Sequence, residues 1–173
     1  MPAEFPCDHF TPTGFPLVTK TNTMTDASTT AVLVVGHGTR DPQGQAEYLQ
    51  VVQWIREMLP ALCVETGILE LAEPDIPTGV RTVMATKPRR LVVTPILLFA
   101  ANHAKSDIPE AVEAAMAEVT DRPEVVYTRP LECDAGLAAV SAERFWEAHR
   151  RLGSPSPETT AVLYVGRGSS DPS

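Results

Sequence analysis

The fold of this chain is decided by one stretch, Ala31-Val-Leu-Val-Val-Gly-His-Gly-Thr-Arg-Asp-Pro42. It begins with a continuously apolar run rich in β-branched residues, which is typical of a buried strand in a parallel sheet. The run ends at Gly36, and a second glycine, Gly38, follows His37. Because glycine permits sharp backbone turns, the stretch predicts a buried strand whose end presents a histidine.

The same stretch returns 130 residues later as Ala161-Val-Leu-Tyr-Val-Gly-Arg-Gly-Ser-Ser-Asp-Pro172, with eight of its twelve positions identical. A repeated strand and turn indicates a repeated supersecondary unit. In the second copy, Arg167 replaces His37. An imidazole binds metal ions or accepts a proton near neutral pH, whereas a guanidinium stays charged and only donates hydrogen bonds. Any chemistry of His37 is therefore predicted for the first copy alone.

Helical and strand patterns alternate along the rest of the chain. Apolar residues at helical spacing predict the helices, and short apolar runs predict the strands. The predicted helices span residues 44–59, 77–86, 108–119 and 135–152, and the predicted strands span residues 32–35, 62–69, 90–98, 124–128 and 161–165. This alternation predicts an α/β fold in which a parallel sheet carries helices on both faces.

The predicted elements divide the chain into four parts. Residues 1–29 hold four prolines and many threonines, so we expect a disordered extension, within which Met24 is a candidate translation start. Residues 30–152 form one complete unit, and residues 153–160 form a linker rich in serine and proline. Residues 161–173 are expected to be the truncated start of a second unit, either poorly anchored or paired with a sheet edge.

Composition and charge exclude several classes of function. The net charge of −8 argues against sequence-independent binding of nucleic acid, which needs a basic face. No apolar run approaches the roughly 20 residues that cross a membrane. The three cysteines lack paired spacing, which argues against a disulfide framework or a zinc site and favours a cytoplasmic protein.

Candidate catalytic residues follow three of the predicted strands. Ligands of parallel α/β sheets bind beyond the carboxyl ends of the strands. His37 follows the first strand, and His103 lies in the loop after the third, before a helix that Asp107 is predicted to cap. Glu70 and Glu73 follow the second strand. We predict that the two histidines share a metal ion or a proton-transfer task and that Glu73 is the carboxylate of the catalytic set.

Three motifs, in this order, resemble those of the sirohydrochlorin cobaltochelatase/ferrochelatase family of class II chelatases. They are Gly36-His-Gly-Thr-Arg-Asp-Pro42, Glu70-Leu-Ala-Glu-Pro74 and Pro95-Ile-Leu-Leu-Phe-Ala-Ala-Asn-His-Ala-Lys-Ser-Asp-Ile-Pro109. The resemblance implies a chelatase-like fold of tandem, flavodoxin-like halves. It also implies a lyase that inserts divalent cobalt or iron into sirohydrochlorin, for cobalamin or sirohaem, without an organic cofactor. His37 and His103 would then be metal ligands and proton acceptors.

The implied reaction suits these residue types. A metal ion must displace the inner pyrrole protons, so the site needs bases that are neutral at pH 7, and the reference pKa of histidine is about 6.5. Sirohydrochlorin is a polycarboxylate, whereas this chain is itself net negative. We therefore expect Arg40 and Lys105, which follow the two histidines closely in sequence, to bind substrate carboxylates.

Two other functions use the same histidines. A non-catalytic module that binds or delivers a metal ion or tetrapyrrole needs them without turnover. A histidine phosphatase-type enzyme also has a His-Gly pair after its first strand, but its phosphate-binding arginine precedes the histidine, where this chain has Gly36. The ligand types do not distinguish cobalt from iron or nickel. Pairing of two copies, which would replace the missing second half, is a further hypothesis.

Overall fold

The computed structural model of the chain describes residues 29–99, 103–132, 134–163 and 165. The contacts divide the chain into a larger unit, His9–Glu132, and a smaller unit made of Met1–Asp8 and Cys133–Ser173. The predicted disordered extension, apart from its last residue, lies outside the described residues, as does the second Gly-Arg-Gly turn.

A four-stranded parallel sheet forms the larger unit. Its strands are β1 (Thr30–Gly36), β2 (Cys63–Ile68), β3 (Arg90–Pro95) and β4 (Glu124–Tyr127). They lie in the order β2-β1-β3-β4, so β1 is an inner strand. Gly36 pairs with Ile68, and Val35 pairs with Pro95. Because of this register, the first three strands end at one edge, called here the carboxyl edge.

Helices cover both faces of this sheet, as predicted. The helices of the larger unit are α1 (Pro42–Met58), α2 (Ile76–Met84) and α3 (Ile108–Met116). Val80 of α2 and Val112 of α3 are fully buried against the face that carries Leu33. On the opposite face, Val52 of α1 packs with Val34. Burial of apolar area on both faces is the main stabilising contribution to such a sheet.

Aspartates begin two of the helices directly after the carboxyl edge. The Asp41 carboxylate accepts hydrogen bonds from the backbone N–H groups of Gln43 and Gly44, and the Asp75 carboxylate accepts one from Thr78. These caps satisfy N–H groups that have no partner within the helix. The caps fix where the chain leaves the loops after β1 and β2, and those loops carry candidate residues.

Two of the strands predicted from the sequence differ from the structure. β3 ends at Pro95, three residues before the predicted end. Proline has no N–H to continue a ladder, and the carbonyls of Leu97 and Leu98 instead accept hydrogen bonds from the loop after β4. The predicted strand over residues 161–165 is absent from its described residues, 161–163 and 165. They have no strand partner among the described residues, and a strand needs one.

The smaller unit contains the fourth predicted helix, α4 (Ala135–Arg151), which Asp134 caps. A short 3₁₀ turn, Pro157–Thr159, follows within the predicted linker. Of the helices in the described residues, none has the length and apolar character needed to span a membrane.

Candidate active site at the carboxyl edge

The turn after β1 is shaped by two glycines, each of which leaves room for a neighbour. A Cβ on Gly36 would lie 2.6 Å from the ring of Tyr48. Gly38 has a φ of +99°, and a Cβ there would lie 1.8 Å from the carbonyl oxygen of Glu70. Side chains are excluded from both positions by this close approach, and at Gly38 also by the left-handed backbone. The glycines therefore hold His37 against the loop after β2.

Backbone hydrogen bonds continue the pairing of β1 and β2 past their ends. Leu69 donates to the carbonyl of Gly36 at 2.9 Å, and Glu70 donates to the carbonyl of His37 at 3.0 Å. The Glu70 carboxylate consequently lies beside the imidazole, with Oε1 3.3 Å from Nε2 of His37. The other ring nitrogen, Nδ1, lies 3.2 Å from the carbonyl oxygen of Gly38. Both nitrogens of His37 thus face oxygen atoms.

The hydroxyl of Tyr48 makes hydrogen bonds next to this turn. It donates to the carbonyl of Val34 at 3.1 Å and contacts the hydroxyl of Thr66 at 2.6 Å. Burial raises the pKa of Tyr48 above its ordinary value, and the hydrogen bond with Thr66 opposes that shift. A neutral phenol therefore ties α1 to β1 and β2 next to Gly36.

His103 lies in a different local structure, a five-residue π-helical turn, His103–Asp107, directly before α3. Nδ1 of His103 is 2.6 Å from Oδ2 of Asp107. Asp107 does not cap α3 as predicted, because its backbone is helical and its side chain makes no cap hydrogen bond. Its carboxylate contacts the imidazole instead.

The structure brings the two predicted histidines together. Their ring centroids are 4.7 Å apart and the ring planes meet at 80°. The side chains of His37 and His103 are 37% and 42% exposed, so a ligand at the carboxyl edge can reach both rings. Among the described residues, no three histidine, cysteine or carboxylate side chains already form a metal-binding cluster. The pair is thus an open site rather than a closed one.

The predicted carboxylate, Glu73, lies in a different position from Glu70. Oε2 of Glu73 accepts a hydrogen bond from the backbone N–H of Asp75 at 2.8 Å, and its carbonyl accepts one from Gln45. Glu70 is the residue of this loop whose carboxylate contacts His37. The intervening Leu71 has a left-handed φ of 68°, which the sequence did not indicate.

The sequence predicts a helix cap at Asp107, whereas the structure places the carboxylate of Asp107 beside His103. Its spacing of four residues from His103 was a usable signal, since side chains four apart share a face of a helix. The cap position before a proline-containing first turn favoured the other interpretation.

The predicted substrate-binding cations flank the histidines in sequence. Arg40 is exposed in the turn that joins β1 to α1, and Lys105 is half-buried within the π-helical turn. A pocket of about 170 Å³ adjoins His37 on the α1 side and reaches Gly44 and Ile96. Pockets for drug-sized ligands have volumes of about 300–1,000 Å³. This pocket is therefore too small for a ligand of that size.

Known proteins are similar to this chain over the part that carries the two histidines. The family model described as CbiX matches residues 31–148. A sirohydrochlorin cobaltochelatase of Priestia megaterium is 36% identical over 143 residues, which cover 82% of this chain and 45% of that protein. A sirohydrochlorin ferrochelatase of the same organism is 34% identical over 142 residues, which cover 82% and 52%. The chain thus spans about half the length of these two relatives.

A solved structure gives the same fold. The sirohydrochlorin chelatase SirB from Bacillus subtilis subspecies spizizenii, in complex with cobalt, superimposes with a TM-score of 0.65 at 30% sequence identity. The match covers 68% of this chain and 50% of that chain.

Proposed function

This chain belongs to the CbiX family, and from that premise we propose that it inserts divalent cobalt or iron into sirohydrochlorin. The observation that carries the proposal is the approach of His37 and His103 to a ring-centroid distance of 4.7 Å at an accessible sheet edge. Relatives that match 82% of this chain are a sirohydrochlorin cobaltochelatase and a sirohydrochlorin ferrochelatase.

His37 and His103 are the proposed metal ligands and proton acceptors. A divalent metal ion replaces the inner pyrrole protons of the macrocycle, so those protons must pass to bases and then to solvent. Imidazole serves both tasks, because its neutral form binds metal ions and accepts a proton near neutral pH. An open site with few protein ligands also suits a metal ion that must leave, since a closed site of four ligands would retain it.

Carboxylates complete the proposed site. Glu70 at 3.3 Å from His37 and Asp107 at 2.6 Å from His103 add negative charge that offsets part of the charge of a metal dication. Glu73 remains the alternative carboxylate that the sequence predicts. Rates of metal insertion in Glu70→Gln and Glu73→Gln distinguish the two residues. Arg40 and Lys105 are proposed to bind carboxylates of the substrate, which offsets repulsion from the net negative protein.

Two copies of the unit are proposed to pair, because two of the relatives are about twice as long as the part that this chain matches. Light scattering after size-exclusion chromatography checks this directly. A mass of twice 18.7 kDa is expected, and a monomer at the concentration of the assay would remove the second copy from the proposal.

We propose that the protein lies in the cytoplasm, because its three cysteines lack the paired spacing of a disulfide framework.

Anaerobic incubation with sirohydrochlorin and Co²⁺, Fe²⁺ or Ni²⁺ tests the proposed reaction. Product, followed by the absorbance of the macrocycle, is expected to exceed the amount of protein many times with Co²⁺ or Fe²⁺. A spectral change that stops at one equivalent of protein would support the binding or delivery module instead. Hydrolysis of a phosphate ester without metal insertion would support the phosphatase-type enzyme.

A further inference from the structure

We infer that Asp107 is a positioning residue that holds the imidazole of His103 with its proton on Nδ1, so that the lone pair on Nε2 is directed to the metal ion. This inference rests on the proposed function, since it assigns a ligand atom in the same site. It gives Asp107 a role other than the helix cap that the sequence predicts, and it assigns a tautomer to His103.

The contact between the two side chains is short and local. Nδ1 of His103 and Oδ2 of Asp107 are 2.6 Å apart, slightly shorter than the distances of about 2.7–2.9 Å that are usual for N–H hydrogen bonds to an ionised group. A carboxylate only accepts hydrogen bonds, so Nδ1 must be the donor. A neutral imidazole with its proton on Nδ1 carries its lone pair on Nε2. The contact therefore selects one of the two neutral tautomers.

The backbone explains why these two side chains meet. Both belong to the π-helical turn, in which they are the first and last residues. Side chains four residues apart on a helical turn lie on one face. Single π-helical turns next to α-helices frequently mark functional sites. The turn thus fixes the carboxylate beside the ring before α3 begins.

A purely structural role for Asp107 is not supported by its contacts. The residue occupies the position that precedes α3, yet its side chain makes no hydrogen bond to the backbone of that helix. Glu110 supplies the acidic residue of the first turn, which interacts favourably with the helix dipole. Among the described residues, its carboxylate contacts the imidazole of His103.

The histidine in the other loop is held differently. Glu70 lies 3.3 Å from Nε2 of His37, not from Nδ1, and the carbonyl of Gly38 lies 3.2 Å from Nδ1. The two imidazoles therefore present different nitrogens to their neighbouring carboxylates. At His103 one ring nitrogen faces a carboxylate, as in carboxylate–histidine–metal arrangements, whereas at His37 both ring nitrogens face oxygen atoms.

Nitrogen chemical shifts of the imidazole rings in the metal-free wild-type protein, recorded at alkaline pH, give the first test. The Nδ1–H tautomer is expected to dominate at His103. A dominant Nε2–H tautomer there would overturn the inference, whatever the activity of the protein. This measurement needs no variant and does not depend on metal insertion.

Asp107→Asn gives the second test, with Co²⁺ alone as the probe. An amide can donate to Nδ1 and thereby favours the Nε2–H tautomer, so Co²⁺ affinity is expected to fall about 10–100-fold, the usual cost of losing such a contact. Asp107→Glu keeps the carboxylate and is expected to restore most of the affinity. Glu110→Gln removes a charge from the first turn of the same helix and is expected to leave the affinity unchanged.

The two sets of outcomes distinguish this inference from the proposed function. A shift of tautomer and loss of Co²⁺ affinity in Asp107→Asn would support the role of Asp107 even if the wild-type protein inserts no metal. Unchanged tautomer and affinity in Asp107→Asn would overturn it even if the wild-type protein turns over. An equal loss in Glu110→Gln would also overturn it, because a general effect of helix charge would then explain the result.

Discussion

The loops that carry His37 and His103 leave the same edge of the sheet but are positioned by different means. His37 follows a strand that continues to pair with its neighbour, and its turn is closed by Gly38 against the carbonyl of Glu70. His103 begins a π-helical turn whose Asp107 side chain contacts its ring. The first histidine is placed by the backbone, and the second is oriented by a side chain.

This difference separates two kinds of sensitivity to substitution. Changes to the glycine turn that holds His37 are expected to act through packing, so they lower the free energy of unfolding together with activity. Changes around His103 are expected to alter the ring and its affinity for metal while the fold is retained. Stability and activity measured on the same variants therefore test whether the two histidines are positioned by different means.

The largest expected effect comes from removing either ring. His37→Ala and His103→Ala are each expected to lower the rate of metal insertion about 1,000-fold, because a ligand and a proton acceptor are lost together. Both side chains are partly exposed, so the melting temperature is expected to change little. His149→Ala is the matched control, since His149 lies on α4 and contacts the carbonyl of Pro155. Wild-type turnover in either test variant would remove that histidine from the mechanism.

Gly38→Ala is expected to have the largest effect on stability. Its Cβ would lie 1.8 Å from the carbonyl oxygen of Glu70, at a φ of +99°, so the free energy of unfolding should fall by about 3 kcal/mol. Gly153→Ala is the control, because Gly153 has a φ of +80° with no atom within 4 Å of the added Cβ. That variant should lose only about 1 kcal/mol in chemical denaturation. Equal losses would mean that the close approach of the Glu70 loop is unimportant.

A smaller effect is expected from the carboxylate beside His37. Glu70→Gln keeps the size of the side chain but removes the charge 3.3 Å from Nε2, and the rate of metal insertion should fall about tenfold. Glu73→Gln alters a side chain that contacts the N–H of Asp75, and should affect the rate less. If Glu73→Gln has the larger effect in the same assay, the carboxylate predicted from the sequence is the functional one.

The smallest expected effect comes from removing the hydroxyl of Tyr48, next to the turn after β1. Tyr48→Phe removes the hydroxyl that donates to Val34, at a cost of about 1 kcal/mol in the free energy of unfolding at pH 7. Burial raises the pKa of Tyr48 in the folded state. The unfolded state therefore loses its proton first, and wild-type stability falls as pH rises above about 10. The deficit of Tyr48→Phe should consequently narrow above that pH, and a constant deficit would contradict this explanation.

Much of this arrangement could be predicted from the sequence because it depends on local patterns. Apolar runs predicted the four strands of the sheet, and the strand-end rule placed His37 and His103 at one edge. The sequence predicts a helix cap at Asp107 because an aspartate before a proline-containing first turn is a stronger signal than a four-residue spacing from a histidine. The choice between Glu70 and Glu73 depends on the path of the loop through Leu71, whose left-handed φ of 68° is uncommon for a non-glycine residue.

We propose that His37 and His103 bind the same metal ion. X-ray absorption spectroscopy of the Co²⁺-loaded protein tests this most directly. Two imidazole ligands are predicted in the wild-type protein, and one is predicted in each of His37→Ala and His103→Ala. An identical imidazole count in the wild type and in either variant would contradict the claim.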